Sequence, residues 1–388
     1  MTDRGRHFWT VTFMAAARIT RAAAATLVLA ATALGIPGCV NSPAPSTASP
    51  VPPASPDDPF LDTVQTRTFR WFWDVTDHRT GLTPDRWPTL SFSSVGAIGF
   101  GLTAYVVGAE RGYVSRTQAA ERTLNTLQFL YRLPQDSAST GVAGYKGFFY
   151  HFLRLDDGLR FEQVELSSID TALLFMGALA CREYFDRADA TEASIRAYAD
   201  SLYHRADWRW FVKTPPLVSM GWHPERGGAF NTYNWAGFNE GMFLYVLALG
   251  SPTHAIDPAA WQEWTRTYRW DAFSGQPHVN FAPLFGHQYS HVWIDFRGIQ
   301  DSYMRARGID YFENSKRATI AQRQYAIDNP HDWLDYGHNV WGLTASDGPK
   351  DTTVFWNGQE RRFWTYTARG VAAGELRDDG TIVPTATG

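Results

Sequence analysis

The sequence predicts a mostly helical domain with long loops between its helices. Seven segments place apolar residues at the spacing of one helix face, namely 59–76, 95–111, 115–132, 166–186, 189–208, 239–250 and 310–328. Alternating strand patterns are scarce, with short candidates at 148–153 and 362–366. Segments such as 141–163 and 214–238 are dense in Gly, Pro and aromatic residues. Loops of this length are unusual unless they build a functional site.

The first 38 residues are typical of an export signal. Arg18 and Arg21 precede the apolar run AAAATLVLAATALGI, and Pro37-Gly38-Cys39 follows it. This run is too short and too interrupted for a membrane span of ~20 residues. The end of the segment resembles a bacterial lipobox, so we expect cleavage before Cys39 and lipidation of its thiol. The alternative is a plain export signal with an incidental cysteine.

Residues 39–58 predict a disordered tether. They consist largely of Pro, Ser and Ala, with almost nothing apolar to bury. The remaining stretch, 59–388, shows no second linker, so we expect one folded domain. Lipid on Cys39 would anchor this domain to a membrane, facing the periplasm.

The charge of the chain limits the classes of partner, and its cysteine content limits the possible disulfides. The net charge of −4 is spread without long basic runs, which argues against nucleic acid. Once Cys39 is lipidated only Cys181 remains, so an intradomain disulfide is excluded. Cys181 lies in an apolar helix pattern, and we expect a buried small side chain there.

Two carboxylates stand at the openings of apolar helical runs: Asp170 in ELSSIDTALLFMGALACREYF and Glu240 in NEGMFLYVLALG. A pair of acids in a chain with 16 Trp, 17 Tyr and 25 Phe is typical of enzymes that cleave glycosidic bonds. Helix capping explains both acids equally well. Ser167 and Asp170 have capping-box spacing, and Asn239 is a good N-cap that would place Glu240 in the first helical turn. The residues alone leave both interpretations open.

Glycosidic cleavage requires one carboxyl to hold its proton while the other stays ionised. A helix N-terminus opposes protonation of Glu240, so burial would have to outweigh the helix dipole. Trp235 and Phe238 could desolvate that carboxyl. Asp170 would then act as base toward water or as nucleophile, with Glu165 as the reserve candidate.

Several motifs together resemble the glycoamylase-like family of bacterial glycoside hydrolases. They are SSVGAIGFGLTAYVVGAERGYVSR, ELSSIDTALLFMGALACREYF, NEGMFLYVLALGSPTH, HQYSHVWIDFRGIQD and YGHNVWGLTASDGP. The resemblance implies an (α/α)6 barrel of outer and inner helices and activity on β-glucan, most often β-1,2-linked. It also places Glu240 at the position of the family's general acid and Asp170 at that of a second catalytic carboxylate. The resemblance implies inversion for hydrolytic members and retention for transglycosylating ones.

The sequence also departs from this family. Relatives continue with further helices beyond the region 378–388, so we expect a barrel that is incomplete at its C-terminus, with an apolar seam facing water. Ser167 stands where the β-1,2-glucanase branch has an acidic residue. Two alternatives follow: a non-catalytic glycan-binding lipoprotein, and a retaining glucan transglycosylase.

Aromatic and polar residues outside the acids are candidates for holding sugar, because sugar faces stack on rings and hydroxyls bond to polar groups. The substrate-binding candidates are Tyr145, Trp222, Glu225, Tyr233, Trp235, His287, His291, Trp293, Asp295 and Arg297, with Arg86 as a further polar candidate. His287 and His291 have the i, i+4 spacing of some zinc sites, but their flanks lack the HExxH form. We therefore expect no metal and no cofactor.

Overall fold

The computed structural model describes residues 59–88, 92–356 and 358–387. The export signal, Cys39 and the tether predicted for residues 1–58 lie outside the described residues. None of the helices in the described ranges is long and apolar enough to cross a membrane.

Helices form most of the regular structure in these ranges. In chain order they are α1 Pro59–Arg70, α2 Val95–Glu110, α3 Arg116–Arg132, α4 Ser168–Tyr184, α5 Ala190–His204, α6 Met242–Gly250, α7 Ala259–Arg266, α8 Phe285–Gln288, α9 Ser302–Arg307 and α10 Tyr311–Asp328. A π-helical turn, Trp71–Val75, continues α1, and a 3₁₀ turn, Tyr289–Val292, follows α8. All seven predicted helical segments are confirmed to within a few residues, whereas α7, α8 and α9 were not predicted.

Short antiparallel strands occupy the loops. They are β1 Ser93–Ser94, β2 Gly144–Tyr145, β3 Phe148–Phe149, β4 Phe152–Leu153, β5 Leu166–Ser167, β6 Gly221–His223, β7 Ala229–Phe230, β8 Trp270–Phe273, β9 Gln276–Val279, β10 Ala345–Asp347, β11 Thr352–Trp356, β12 Gln359–Phe363, β13 Tyr366–Ala368, β14 Gly370–Ala372 and β15 Glu375–Arg377. The sheet β5-β6-β7 has three strands, and the others are two-stranded. In register, Ser167 lies opposite Gly221 and Leu166 opposite Trp222.

The helices lie in two layers. In one layer α4 contacts α2 on one side and α6 on the other, and in the second layer α3 contacts α5. The chain alternates between the layers, because α2 also contacts α3 and α4 also contacts α5. Such alternation of inner and outer helices is the pattern expected for an (α/α) barrel.

Glycines allow α2 and α4 to approach closely. A Cβ atom built at Gly99 would lie 2.2 Å from the Leu173 carbonyl oxygen, and one at Gly177 would lie 2.1 Å from the Gly99 oxygen. No side chain fits at either position, so the two backbones touch. This contact fixes the start of α4 beside the first turn of α2.

Polar side chains set where several helices begin. Ser115, Ser167, Asp189, Asp301 and Asp310 each accept a hydrogen bond from a backbone N–H in the first turn of the following helix. An N-cap of this kind stabilises a helix by about 0.5–2 kcal/mol. For Ser167 this confirms the predicted cap of α4.

The C-terminal part is built differently from the helical layers. Tyr325 and Ala326 of α10 pack with Tyr336, Leu343 and Val371 in a second apolar cluster. A fully buried ion pair, Arg369 Nε to Asp379 Oδ1 at 2.7 Å, lies in the same segment. The chain after α10 therefore forms hairpins that pack on that helix.

One face of α2 carries a half-buried stripe, formed by Ala97, Phe100 and Ala104. Tyr289 and Trp293 pack against Phe100, each with ring centroids 5.1 Å apart. Residues of the 3₁₀ turn and its flank thus cover part of this stripe.

Candidate active site

Asp170 lies at the start of α4, and it is buried. Ser167 Oγ accepts a hydrogen bond from the Asp170 N–H and donates one to Asp170 Oδ2 at 2.5 Å. On the other side, a Cβ atom at Gly96 would come within 2.8 Å of Asp170 Oδ1. The carboxylate is therefore held between the α4 cap and the first turn of α2.

Glu240 lies just before α6. We expected it inside the first helical turn, with Asn239 as the cap, but α6 begins at Met242 and its cap position is Gly241. Asn239 Oδ1 instead accepts the Gly241 N–H at 2.8 Å. Glu240 consequently lies outside the turn in which the helix dipole would oppose its protonation.

The Glu240 carboxyl group is desolvated. Its Oε2 atom is inaccessible to solvent and has no hydrogen-bond partner among the described residues. Burial raises the pKa of Glu240 from 4.5 to about 7. The charge of Asp170 adds to this shift, whereas a backbone hydrogen bond opposes it. A carboxyl with this pKa is half protonated at neutral pH and can donate a proton.

Trp235 connects the surroundings of the two acids. Its ring packs against Gly241, and its Nε1 donates to Ser168 Oγ at 3.0 Å. Ser168 in turn donates to the Ser219 carbonyl oxygen at 2.7 Å. The loop before α6 is thereby tied to the first turn of α4, and Glu240 keeps a fixed position relative to Asp170.

Glu165 and His151 form the third part of the site. His151 Nδ1 lies 2.9 Å from Glu165 Oε1, and His151 Nε2 lies 3.5 Å from Asp170 Oδ2. Burial raises the pKa of Glu165, but the hydrogen bond and charge of His151 outweigh it and hold that pKa below its ordinary value. His151 was not among the residues that the sequence singled out.

Polar groups from three other segments surround these acids. Asp85, Tyr289 and Tyr366 each interact electrostatically with Asp170. Arg86, the neighbour of Asp85, has its Nη2 3.4 Å from Asp347 Oδ1 on β10, and β10 pairs with the strand that carries Tyr366. Arg86 was a predicted sugar-binding residue, whereas the others carried no periodic or spacing signal in the sequence.

Glu225 and Trp222 lie on the same side of the site as Glu165. Glu225 Oε1 accepts from Arg160 Nη1 at 2.6 Å, and His223, which lies 3.8 Å from Glu225, also acts on Glu165. Trp222 is 6% exposed and stacks on Tyr145 with ring centroids 5.3 Å apart.

The Trp222 ring therefore packs against other side chains of the protein and has no free face for the sugar stacking that we predicted. The same correction applies to Trp235, which is 7% exposed. Tyr233, at 73% exposure, and half-buried Tyr145 still present surface to a ligand.

His287 and Trp293 are buried, in contrast to their predicted binding roles, whereas His291 is half-buried and its role stays a prediction. His287 is buried, its Nε2 lies 3.2 Å from the Phe281 carbonyl oxygen, and burial lowers its pKa to about 3. His291 Nε2 lies 3.0 Å from Ser315 Oγ, and Trp293 Nε1 donates to Thr103 Oγ1. For buried His287 and Trp293 these are contacts within the protein interior.

Asp295 and Arg297 form an exposed ion pair with a distance of 3.6 Å. Among the side chains that the structure describes, no group of three or more His, Cys, Asp or Glu could hold a metal ion. Cys181 is buried, as predicted.

Comparison with known proteins identifies relatives of this chain. The model of the Glycoamylase family, described as "Putative glucoamylase", matches residues 232–388. An exo beta-1,2-glucooligosaccharide sophorohydrolase (non-reducing end) from Parabacteroides distasonis is 28% identical over 365 residues, which is 85% of this chain and 46% of that protein. The chain thus spans about half the length of this curated relative.

Solved structures extend the comparison. A putative glucoamylase from Bacteroides uniformis is 30% identical, with a TM-score of 0.71, covering 84% of this chain and 75% of that one. An endo-beta-1,2-glucanase from Chitinophaga pinensis, solved with sophorotriose and glucose, is 27% identical, with a TM-score of 0.69, covering 84% and 76% of the two chains. By identity, coverage and fold, the chain belongs to the glycoamylase-like family and shares its (α/α)6 architecture.

Proposed function

We propose that this chain is a glycoside hydrolase that cleaves β-1,2-linked glucan or its oligosaccharides. The observation that carries the proposal is a pair of neighbouring carboxyl groups in different surroundings. Glu240 Oε2 is buried without a hydrogen-bond partner among the described residues, and burial raises the pKa of Glu240 to about 7. Asp170 instead accepts a hydrogen bond from Ser167 Oγ and lies 3.5 Å from His151 Nε2. Two carboxyl groups in unlike surroundings are what glycoside cleavage by an acid and a base requires.

Each acid has a proposed role. Glu240 donates its proton to the glycosidic oxygen, which is a poor leaving group until it is protonated. Asp170, which interacts with Glu240, acts as the base that activates water in an inverting reaction, with Glu165 as the reserve candidate. In a retaining reaction Asp170 would instead be the nucleophile. The anomer released first, followed by proton NMR, distinguishes the two.

The substrate follows from the relatives. The Parabacteroides protein is named for hydrolysis of β-1,2-glucooligosaccharides, and the Chitinophaga protein for hydrolysis of β-1,2-glucan. Exposed Tyr233 and half-buried Tyr145 offer surfaces for sugar rings. A neutral glucan also suits a chain without long basic runs.

Product analysis tests the substrate. The full chain is incubated with linear β-1,2-glucan and, separately, with β-1,3-glucan, β-1,4-glucan and starch. We expect short β-1,2-linked oligosaccharides from the first substrate alone. Folded protein that binds glucan without forming any product would contradict hydrolysis and favour the glycan-binding alternative. Products longer than the substrate would favour transglycosylation.

Substitution tests the acid. Glu240→Gln should lose most hydrolysis of natural glucan and retain more activity on a glycoside with a good leaving group, because such a group needs no proton. In the wild-type chain kcat/KM should fall as pH rises through about 7, where Glu240 loses its proton. Equal loss on both substrates, or an unchanged alkaline limb in Glu240→Gln, would contradict the role.

We further propose that the protein is exported and anchored by lipid on Cys39. The support is the apolar run followed by Pro37-Gly38-Cys39. Wild-type protein from cells should partition into detergent and carry lipid at a new N-terminal cysteine. Cys39→Ser should partition into the aqueous phase, and equal partitioning of both proteins would refute the anchor.

A further inference from the structure

His151 is the point at which three segments of the site meet. Its N–H donates to the Glu165 carbonyl oxygen at 2.9 Å, and its carbonyl oxygen accepts the Val95 N–H at 3.1 Å, at the start of α2. Its ring stacks on Phe152, with centroids 3.9 Å apart. Backbone and ring contacts therefore fix the direction in which both imidazole nitrogens point.

Both of these nitrogens face carboxylates. Nδ1 lies 2.9 Å from Glu165 Oε1, and Nε2 lies 3.5 Å from Asp170 Oδ2. An ionised carboxylate only accepts hydrogen bonds, and a neutral imidazole has a single N–H to donate. A neutral ring would leave one nitrogen lone pair against a negative oxygen. The geometry satisfies both carboxylates only when both ring nitrogens carry a proton.

We propose that His151 is a positioning residue, held as an imidazolium between Glu165 and Asp170, that orients both carboxyl groups for the reaction and balances their charge. The inference rests on the proposed function and adds to it a cation placed between two of its acids. Without that positive charge, the two carboxylates and Asp85 would face one another with like charge.

The charged groups around His151 support this assignment. Burial alone would lower the pKa of the ring, but Asp170, Glu165 and Asp85 together outweigh it and raise the pKa of His151 to about 9. Asp85 belongs to the loop before α2, Glu165 to the segment before β5, and Asp170 to α4. The described residues facing the ring from these three elements are therefore acidic.

Activity measurements test the proposal through the pH profile. His151→Gln keeps a hydrogen-bond donor and removes the charge. Because a nearby positive charge favours the ionised form of a carboxyl group, its removal should move the acidic limb of kcat/KM to higher pH. The matched control is His78→Gln, at an exposed position, which should leave the limb in place. A uniform loss of activity with an unmoved acidic limb would overturn the proposal.

A second measurement needs no catalysis. In the ¹³C-histidine-labelled wild-type chain, the His151 ring is recognised by its nuclear Overhauser contact with Phe152. Its titration midpoint should lie near 9 and should fall in Asp170→Asn. A midpoint at or below 6.5 would overturn the proposal, even if His151→Gln fails to fold. If the wild-type chain hydrolyses no glucan and this midpoint is still near 9, the proposed function fails while the charged His151 stands.

Discussion

Replacing Glu240 by Gln should stabilise the protein while it removes the proposed acid, and the gain should grow with pH. In the folded chain Glu240 stays protonated up to about pH 7, whereas the ordinary value for the unfolded chain is 4.5. Between these values the unfolded chain binds fewer protons than the folded one. The free energy of unfolding of the wild type therefore falls as pH rises from 4.5 through 7. Gln does not titrate, so the variant escapes this loss.

The size of this stability loss follows from the pKa shift of Glu240. One pKa unit corresponds to about 1.4 kcal/mol, so a shift from 4.5 to about 7 lowers the free energy of unfolding of the wild type by about 3 kcal/mol at pH 8 and by about 1 kcal/mol at pH 5. Because Glu240 as a whole residue is only half-buried, these values are upper bounds. The buried amide of Gln adds an offset that does not change with pH, so the slope against pH carries the test.

Urea unfolding followed by tryptophan fluorescence at pH 5, 6, 7 and 8 measures this slope. The matched control is Glu121→Gln, an exposed position on α3. The stability difference between Glu240→Gln and wild type should widen across this range, and that for the control should not. A difference that stays constant from pH 5 to pH 8 would refute the claim that burial holds the Glu240 proton.

Two further substitutions test the framework, both by urea unfolding. Gly99→Ala should destabilise the protein by about 1–3 kcal/mol through overpacking, because its Cβ would lie 2.2 Å from the Leu173 carbonyl oxygen. The control is Gly250→Ala, whose Cβ would have its nearest contact 4.0 Å away, at Tyr203, and which should be neutral or stabilising. Equal effects of the two substitutions would contradict the close contact at Gly99. Arg369→Met should lower the free energy of unfolding by about 3–5 kcal/mol, because it leaves the buried Asp379 without its ion-pair partner. A loss below about 1 kcal/mol, which is the value of an exposed ion pair, would show that water reaches Asp379.

The sequence predicted the long helices because their apolar faces repeat over several turns, as in the 17-residue α4. It did not predict α8 and α9, which have 4 and 6 residues and therefore span fewer than two helical turns, too few for the apolar spacing to repeat. The start of α6 was placed two residues too early, because Asn239 is a good N-cap by residue type. In the structure its side chain bonds the Gly241 N–H within a turn before the helix.

The candidate acids could be located from the sequence, but their setting could not. His151 is a single histidine in a loop, 14 residues from Glu165, and neither periodicity nor motif spacing relates the two. The opposite error was made for Trp222 and Trp235. A tryptophan in a loop near an acid suggests sugar stacking, yet both rings are buried, because the loops fold back over the start of α4.

The starts of α4 and α6 are built differently, and this difference separates the chemistry of the two proposed catalytic acids. At α4, Ser167 caps the helix and bonds Asp170 directly, and His151 adds a second polar contact. At α6, Asn239 bonds the Gly241 N–H, so Glu240 Oε2 keeps no partner among the described residues. Burial of a carboxyl oxygen without a partner favours the neutral form of the group, and burial is the largest influence on the pKa of Glu240. The turn that Asn239 forms before α6 thus leaves Glu240 in surroundings that let it hold a proton at neutral pH, whereas Ser167 and His151 place polar groups beside Asp170.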